Sequence, residues 1–139
     1  MNELATLYAL IRRFEGCRLM PYICPAGVWT CGWGSTGVDV FPGRAWTQAY
    51  ADQRLEQDAI KFARGTLLAC PQLVGERLCA IADFAYNLGL GALRGSTLRR
   101  RVNEGDWEAA RRELRRWVRG GCRVLPGLVL RREAEATLL

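Results

Sequence analysis

The sequence predicts an α+β fold that is mostly α, in which helices flank and cover a small sheet near the N-terminus. Apolar residues recur at helical spacing along most of the 139 residues. Residues 16–43 interrupt that pattern with six glycines, three prolines and two tryptophans, which is typical of short strands and turns. No linker or internal repeat is visible, so we expect a single domain over residues 1–139.

The predicted helices follow from their apolar stripes and end signals. Residues 3–14 form the first, and a second is capped by Thr47 and runs to about residue 64. A third covers residues 72–88 and ends at Gly89. Ser96 and Asp106 are predicted N-caps of two shorter helices, the later one reaching residue 118 before two glycines stop it. Pro126 suits the first turn of a last helix that runs to the C-terminus.

Composition excludes several classes of protein. Half of the residues are apolar and 24% are charged, so the chain is neither disordered nor of low complexity. No apolar run reaches the ~18 residues that a membrane span needs, and the N-terminus lacks the features of a signal peptide. The absence of histidine removes histidine metal sites and Ser-His or Cys-His nucleophile pairs. We expect no metal and no cofactor.

The charge of the chain is positive and unevenly distributed. The net charge is +6, and every basic residue except Lys61 is arginine. Residues 94–132 hold 12 arginines against four acidic residues, a local charge of +8. Such a surface can attract an anionic partner, namely a wall polymer, an anionic outer-membrane lipid or nucleic acid. Alternatively, it is a solvated face that keeps the protein soluble.

Three residues near the N-terminus are candidates for chemistry. Glu15 lies where the first helix gives way to strands, and Phe14 beside it predicts a shielded carboxyl that can donate a proton. Cys24 follows after eight residues, and Thr30 after five more. Taken singly, each has an ordinary structural explanation. Gly32 and Gly34 leave one strand face bare, which permits a bulky group to approach closely.

Together, the spacing Glu-8-Cys-5-Thr resembles the catalytic signature of the phage-type lysozymes, the endolysins with a T4-lysozyme-like fold, where Asp or sometimes Cys holds the middle position. The segments LIRRFEG and PAGVWT resemble that family's first helix end and hairpin. Residues 84–98 and 116–135 resemble its later helical blocks, in the same order. The resemblance implies a small β lobe at about residues 15–45 and a helical lobe of residues 46–139 plus the N-terminal helix.

The resemblance implies hydrolysis of the β-1,4 bond between N-acetylmuramic acid and N-acetylglucosamine in peptidoglycan, with host cell lysis. Glu15 is then the general acid, and Cys24 is either the base for a water or a nucleophile, acting as a thiolate. Thr30 holds the water. Tyr22 and Asn87 are candidate sugar contacts. Ser35 stands where the family commonly has His, so we expect altered local hydrogen bonding.

The expected partner is bacterial peptidoglycan, with anionic outer-membrane lipid as a second partner of the arginine-rich helices. We expect a monomer that binds no nucleic acid, is made in the host cytoplasm and acts on the wall in the periplasm. Two alternatives stay open: a wall-binding relative inactivated by Cys24, and an arginine-rich nucleic-acid-binding module. They differ in lytic activity and in salt-dependent retention on DNA.

Six cysteines without any C-x-x-C pair leave free thiols and disulfides equally open. Cys17 and Cys24 suggest a redox switch. An extended chain across these seven positions separates their Cα atoms by up to ~23 Å, whereas a disulfide needs less than ~7 Å. A bridge between them and an active hairpin should therefore exclude one another.

Overall fold

The computed structural model describes residues 2–139, and it confirms the predicted α+β fold with a mostly helical body. The N-terminal half holds α1 (Glu3–Glu15), β1 (Arg18–Ile23), β2 (Trp29–Gly32), α2 (Gln48–Ala69) and α3 (Gly75–Leu88). The C-terminal half holds α4 (Leu90–Arg94), α5 (Thr97–Glu104), α6 (Trp107–Leu114), β3 (Arg119–Gly120), β4 (Arg123–Val124) and α7 (Pro126–Thr137). Each pair of strands forms a separate antiparallel hairpin.

The predicted N-caps are present. The side chains of Thr47, Ser96 and Asp106 each accept a hydrogen bond from the backbone N–H three residues on, at 3.1, 3.0 and 3.1 Å. Each such cap satisfies a donor that the first turn of a helix leaves unpaired and is worth about 1 kcal/mol. Pro126 occupies the first turn of α7, as predicted.

Three helix boundaries differ from the prediction, and one short helix was not predicted. Helix α2 continues to Ala69, and α3 begins only at Gly75. The short helix α4 carries no capping signal in its sequence. Helix α6 ends at Leu114 instead of residue 118, and the chain then turns into the β3–β4 hairpin. In that hairpin Gly121 has φ +64° and lies in the turn between β3 and β4, where the prediction had only a helix stop.

The N-terminal hairpin carries the candidate residues. Tyr22 pairs with Thr30 across the two strands, and the ladder is irregular between Arg18 and Tyr22. A tight connection closes it: Cys24 N–H donates to Val28 O at 3.0 Å, and Gly27 N–H donates to Cys24 O at 2.8 Å. This places Cys24 at the hairpin tip and Tyr22 one step inside it.

Helix α3 is the centre of the helical body. Its residues from Leu78 to Tyr86 are all buried, and they contact α1, α2, α4 and α7. A separate small core lies under the hairpin and consists of Cys31, Val40, Trp46 and Ala51. Because α3 contacts both α1 and α7, it fixes the end of α1 relative to the last helix. No helix within residues 2–139 is long and apolar enough to cross a membrane.

Candidate active site

Glu15 is the last residue of α1, and its side chain is held by an ion pair from the other end of the chain. The Nη1 of Arg131 in α7 donates to Glu15 Oε1 at 2.6 Å. The same guanidinium donates through Nε and Nη2 to both carboxylate oxygens of Asp83 in α3, each at 2.8 Å. The Asp83 side chain is 0% exposed and that of Glu15 is 19% exposed. One arginine therefore locks the candidate acid onto the buried helix.

The environment of Glu15 differs from the sequence expectation of an apolar shield. Phe14 is adjacent, but it lies against the Arg131 guanidinium, at 5.7 Å from ring centroid to Cζ. Burial alone would lower the pKa of Arg131, yet its bonds to Asp83 and Glu15 outweigh burial and raise that pKa. Arg131 is thus a permanent cation that positions Glu15 from one side.

Side chains of the protein itself lie against the two glycines, Gly32 and Gly34, that leave one strand face without side chains. A Cβ on Gly34 would lie 2.8 Å from Glu15 Oε2, and one on Gly32 would lie 3.0 Å from the ring of Trp46. Gly34 also has φ +89°, a conformation that side-chain-bearing residues rarely adopt. The second glycine is therefore what keeps the Oε2 side of Glu15 open.

Cys24 and Thr30 lie together at the hairpin. Burial raises the pKa of the Cys24 thiol, but hydrogen bonds from the backbone of Val28 and Ala26 and from the Thr30 hydroxyl outweigh it, so that pKa lies below its ordinary value. The Thr30 side chain is buried, and its hydroxyl donates to the carbonyl oxygen of Val28 at 3.0 Å. These hydrogen bonds make ionisation of the thiol at position 24 easier than in a free cysteine.

Tyr22 lies on β1, two residues before Cys24. Burial is the largest cause of its raised pKa, and the charges of Glu15 and Cys24 add to it. The guanidinium of Arg18 opposes this effect and covers the ring, at 4.4 Å from its centroid. The charges of both candidate groups thus raise the pKa of the same phenol, and the strand pairing places Tyr22 directly opposite Thr30 on the hairpin.

Asn87 does not contact these residues. It lies one turn beyond Asp83 on α3 and is half-buried. Its Oδ1 accepts a hydrogen bond of 2.8 Å from Arg132 Nη2, the residue next to Arg131 on α7. The structure thus connects Asn87 to the same pair of helices that hold Glu15, through a neighbouring arginine.

Ser35 connects the segment after the hairpin to helix α2. Its hydroxyl donates to Asp58 Oδ2 on α2 at 2.6 Å, and the side chain is buried. Arg54 bonds both Asp58 and Asp39 and also Thr36 O, so the segment after the hairpin is fastened to α2. A neutral serine thus takes part in a network that joins this segment to α2, at the position where the resemblance leads us to expect an imidazole.

The prediction from the sequence did not include two residues of this site, Arg131 and Asp83. Arg131 was counted with the basic surface, although it is only 3% exposed. The only sequence signal was Asp83 itself, a charged residue within an otherwise apolar helical stripe. A charge at a core position requires a partner of opposite sign, which is what Arg131 supplies.

The profile of the family described as phage lysozyme matches residues 12–135 of this sequence. The chain belongs to the phage lysozyme family. It is 39% identical over 122 residues to a SAR-endolysin of Bacteriophage PS119, which covers 87% of this chain and 73% of that protein. It is 37% identical over 132 residues to an endolysin of Bacillus phage B103, which covers 93% of this chain and 50% of that protein.

Solved structures agree with the family assignment. The muramidase domain of SpmX from Asticaccaulis excentricus superposes with a TM-score of 0.84 at 29% identity, over 95% of this chain and 92% of that one. These matches confirm the predicted lysozyme-like fold and the lysozyme class of glycoside hydrolase, and they do not favour a nucleic-acid-binding module. The chain spans about half the length of the Bacillus phage endolysin.

Proposed function

We propose that the chain is a muramidase-type endolysin that hydrolyses the β-1,4 bond between N-acetylmuramic acid and N-acetylglucosamine in peptidoglycan and so lyses its host. One observation carries the proposal: Glu15 Oε2 faces Gly34 just after β2, the strand that carries Thr30 and follows the hairpin tip with Cys24. Two groups flanking one sugar bond are what glycoside hydrolysis needs. Peptidoglycan is the partner that the family implies.

In this proposal Glu15 is the general acid. Its Oε1 already accepts a hydrogen bond from Arg131, so the transferable proton resides on Oε2. Gly34 keeps space beside that oxygen. The proton passes from Oε2 to the glycosidic oxygen, and the bond to the anomeric carbon breaks as the leaving sugar gains its hydroxyl.

Cys24 acts on the opposite side of the bond as a thiolate. Hydrogen bonds from the hairpin backbone and Thr30 stabilise its anion. As a base, the thiolate takes a proton from a water that Thr30 holds, and the hydroxide attacks the anomeric carbon with inversion. As a nucleophile, the sulfur itself attacks, and a later water releases the sugar with retention.

The anomeric configuration of the first product distinguishes Cys24 acting as a base from Cys24 acting as a nucleophile. Proton NMR of freshly released muramyl ends, recorded before mutarotation, should show the α-anomer for the base mechanism and the β-anomer for the nucleophile. The Cys24→Asp variant serves as the matched control, because a carboxylate can perform either role.

The arginine-rich half serves in this proposal to bring the enzyme to anionic wall polymer and outer-membrane lipid. Four of its arginines, at positions 101, 112, 115 and 116, form surface ion pairs with glutamates. Arg94, Arg100, Arg119 and Arg123 are exposed and form no ion pair within residues 2–139. These four are the cations free to meet a phosphate or carboxylate. Replacing all four with glutamine should reduce binding to anionic vesicles in 50 mM salt more than binding to neutral ones.

Cys17 and Cys24 remain a proposed redox switch. Both are unpaired and lie at opposite ends of β1. The thiol of Cys17 lies 4.0 Å from Gln48 Oε1 on α2, away from the hairpin tip. A bridge between them would consume the catalytic thiol and bend β1 where it presents Tyr22. Such a bridge would keep the enzyme latent in an oxidising compartment until thiol exchange releases it.

Disulfide mapping by peptide mass, with lysis assayed before and after reductant, tests the switch. We expect the oxidised protein to carry the 17–24 bridge and to gain activity on reduction. Full activity with the bridge in place, or no such bridge after oxidation, would contradict it.

The function itself is tested on purified peptidoglycan. The chain, made in the host cytoplasm and acting on the wall in the periplasm, should release new reducing ends of muramic acid. Binding to the wall without release would identify an inactive relative instead. Salt-dependent retention on DNA without release would identify a nucleic-acid-binding protein.

A further inference from the structure

A second buried charge pair lies beside Arg131 and takes no part in holding Glu15. Arg132 and Glu135 on α7 are both 0% exposed, and Arg132 Nη2 donates to Glu135 Oε1 at 2.8 Å. The same nitrogen donates to Asn87 Oδ1, also at 2.8 Å. The guanidinium further lies 5.2 Å from the centroid of the Phe84 ring. Arg132 is therefore fixed from several sides, and one of them is the amide of Asn87.

The contact with Arg132 sets which end of the Asn87 amide faces outward. A guanidinium has only donors, so the group that it meets on Asn87 must be the carbonyl oxygen. The amide NH2 group is then directed away from the buried arginine. Asn87 is half-buried, so its free end reaches the protein surface. The structure thus presents Asn87 as a hydrogen-bond donor.

The position of this donor relates it to the candidate site. Asp83 and Asn87 are four residues apart on α3, so they share one face of that helix at about 5–6 Å. Asp83 binds the arginine that holds Glu15, and Asn87 binds the next residue of the same helix. The donor end of Asn87 therefore lies about one helical turn from the anchor of the catalytic acid.

The polar contacts of Arg132 are few. Burial raises the pKa of Glu135, and although Arg132 opposes this, the charge of Asp83 adds to it. Arg132 Nε and Glu135 Oε2 are buried and have no hydrogen-bond partner among residues 2–139. Arg132 is therefore held by its bonds to Glu135 Oε1 and Asn87 Oδ1 and by a longer one, at 3.5 Å, from Nη1 to Trp117 O.

We propose that Arg132, held by Glu135, is a positioning residue that turns the Asn87 amide so that its NH2 group donates to the acetamido carbonyl oxygen of a bound sugar. The proposal rests on the proposed function and names a determinant of its substrate specificity. An acetamido carbonyl only accepts hydrogen bonds, and it is therefore the natural partner of a group whose acceptor end is already occupied. Each N-acetylated sugar of the wall carries one.

Asn87→Asp tests the donor directly. The aspartate keeps an oxygen for Arg132 but has no NH2 group. With acetylated peptidoglycan we expect KM to rise about 3- to 10-fold, the effect of one lost hydrogen bond, and kcat to change less. With chemically N-deacetylated peptidoglycan the wild type should show that same rise, and the variant should show no further one.

Arg132→Met combined with Glu135→Leu tests the positioning. Removing both partners leaves no unpaired buried charge, so the fold should persist. The freed amide should then lose most of the preference for acetylated wall. The matched control is Arg115→Met with Glu133→Leu, which removes an exposed arginine–glutamate pair that also joins α7. The control should keep the wild-type KM and the wild-type preference.

Three outcomes would overturn the inference. The first is equal KM of the wild type for acetylated and deacetylated wall, and the second is Asn87→Asp with the wild-type preference. The third is a folded double variant at positions 132 and 135 with unchanged KM. In each case hydrolysis by the wild type in the same assay would leave the muramidase proposal standing. No hydrolysis by the wild type would overturn both.

Discussion

Replacing Gly34 with alanine should affect two measurable quantities, the rate of hydrolysis, through the position of the Glu15 carboxyl, and the free energy of unfolding. The added Cβ would lie 2.8 Å from Glu15 Oε2 and 3.0 Å from its Cδ, whereas ordinary contact begins at 3.4 Å. Glu15 cannot simply withdraw, because Arg131 Nη1 holds Oε1 at 2.6 Å from the other side. Either the carboxyl turns away from the sugar or the strand end moves.

The size of the effect follows from two separate costs. Alanine at φ +89° strains the backbone by about 1–2 kcal/mol, which should appear as a lower free energy of unfolding. Displacing the acid by about half an ångström to one ångström should reduce kcat by about 100-fold. The first cost is measured by urea unfolding and the second by release of reducing ends from purified peptidoglycan.

Gly43→Ala is the matched control. Gly43 has φ +83°, and a Cβ there would have nothing within 4 Å. This variant should lose the same stability as Gly34→Ala and keep wild-type kcat. If the two variants lose equal activity, or if Gly34→Ala hydrolyses peptidoglycan normally, the argument that Gly34 keeps Oε2 open is refuted.

Substitutions at three further points extend the test. Cys24→Asp should remain active, because a carboxylate is ionised at pH 7, and Cys24→Ala should lose nearly all hydrolysis of purified peptidoglycan; wild-type activity in the alanine variant would make Cys24 structural. The wild-type rate should fall as pH drops through the lowered pKa of Cys24, and this acidic limb should move to lower pH in Cys24→Asp; an unmoved limb would contradict the assignment of a base or nucleophile. Asp83→Asn removes the charge from a fully buried partner of Arg131 and should reduce the free energy of unfolding by about 3–5 kcal/mol in urea; a loss below about 1 kcal/mol would contradict the account of the buried pair.

Local chemistry made much of the fold predictable. Thr47, Ser96 and Asp106 cap helices because their side chains accept from the first turn, an interaction that needs only three residues of sequence. The end of α6 was mistaken because Trp117 continues its apolar stripe. The indole of Trp117 packs against the Phe84 ring, with 5.4 Å between the ring centroids, although Trp117 lies after the end of α6. An apolar residue at helical spacing can therefore be partly buried without belonging to the helix.

The candidate site was predictable only in its hairpin part. Glu15, Cys24 and Thr30 lie within sixteen residues, and their spacing follows from one helix end and one hairpin. The partner of Glu15 is 116 residues away, and no periodicity indicates which of 19 arginines turns inward. Arg131 and Arg132 look like part of a basic surface because burial of a charge depends on tertiary contacts from Asp83, Glu135 and Asn87.

The most direct test of the central claim is the activity of Glu15→Gln on purified peptidoglycan. Glutamine is nearly isosteric, and its carbonyl oxygen can still accept the hydrogen bond from Arg131, so the circular dichroism spectrum and melting temperature should stay close to wild type. The transferable proton is lost, which should lower the rate about 100- to 10,000-fold. A folded variant that keeps more than a tenth of the wild-type rate would contradict the assignment of Glu15 as the general acid.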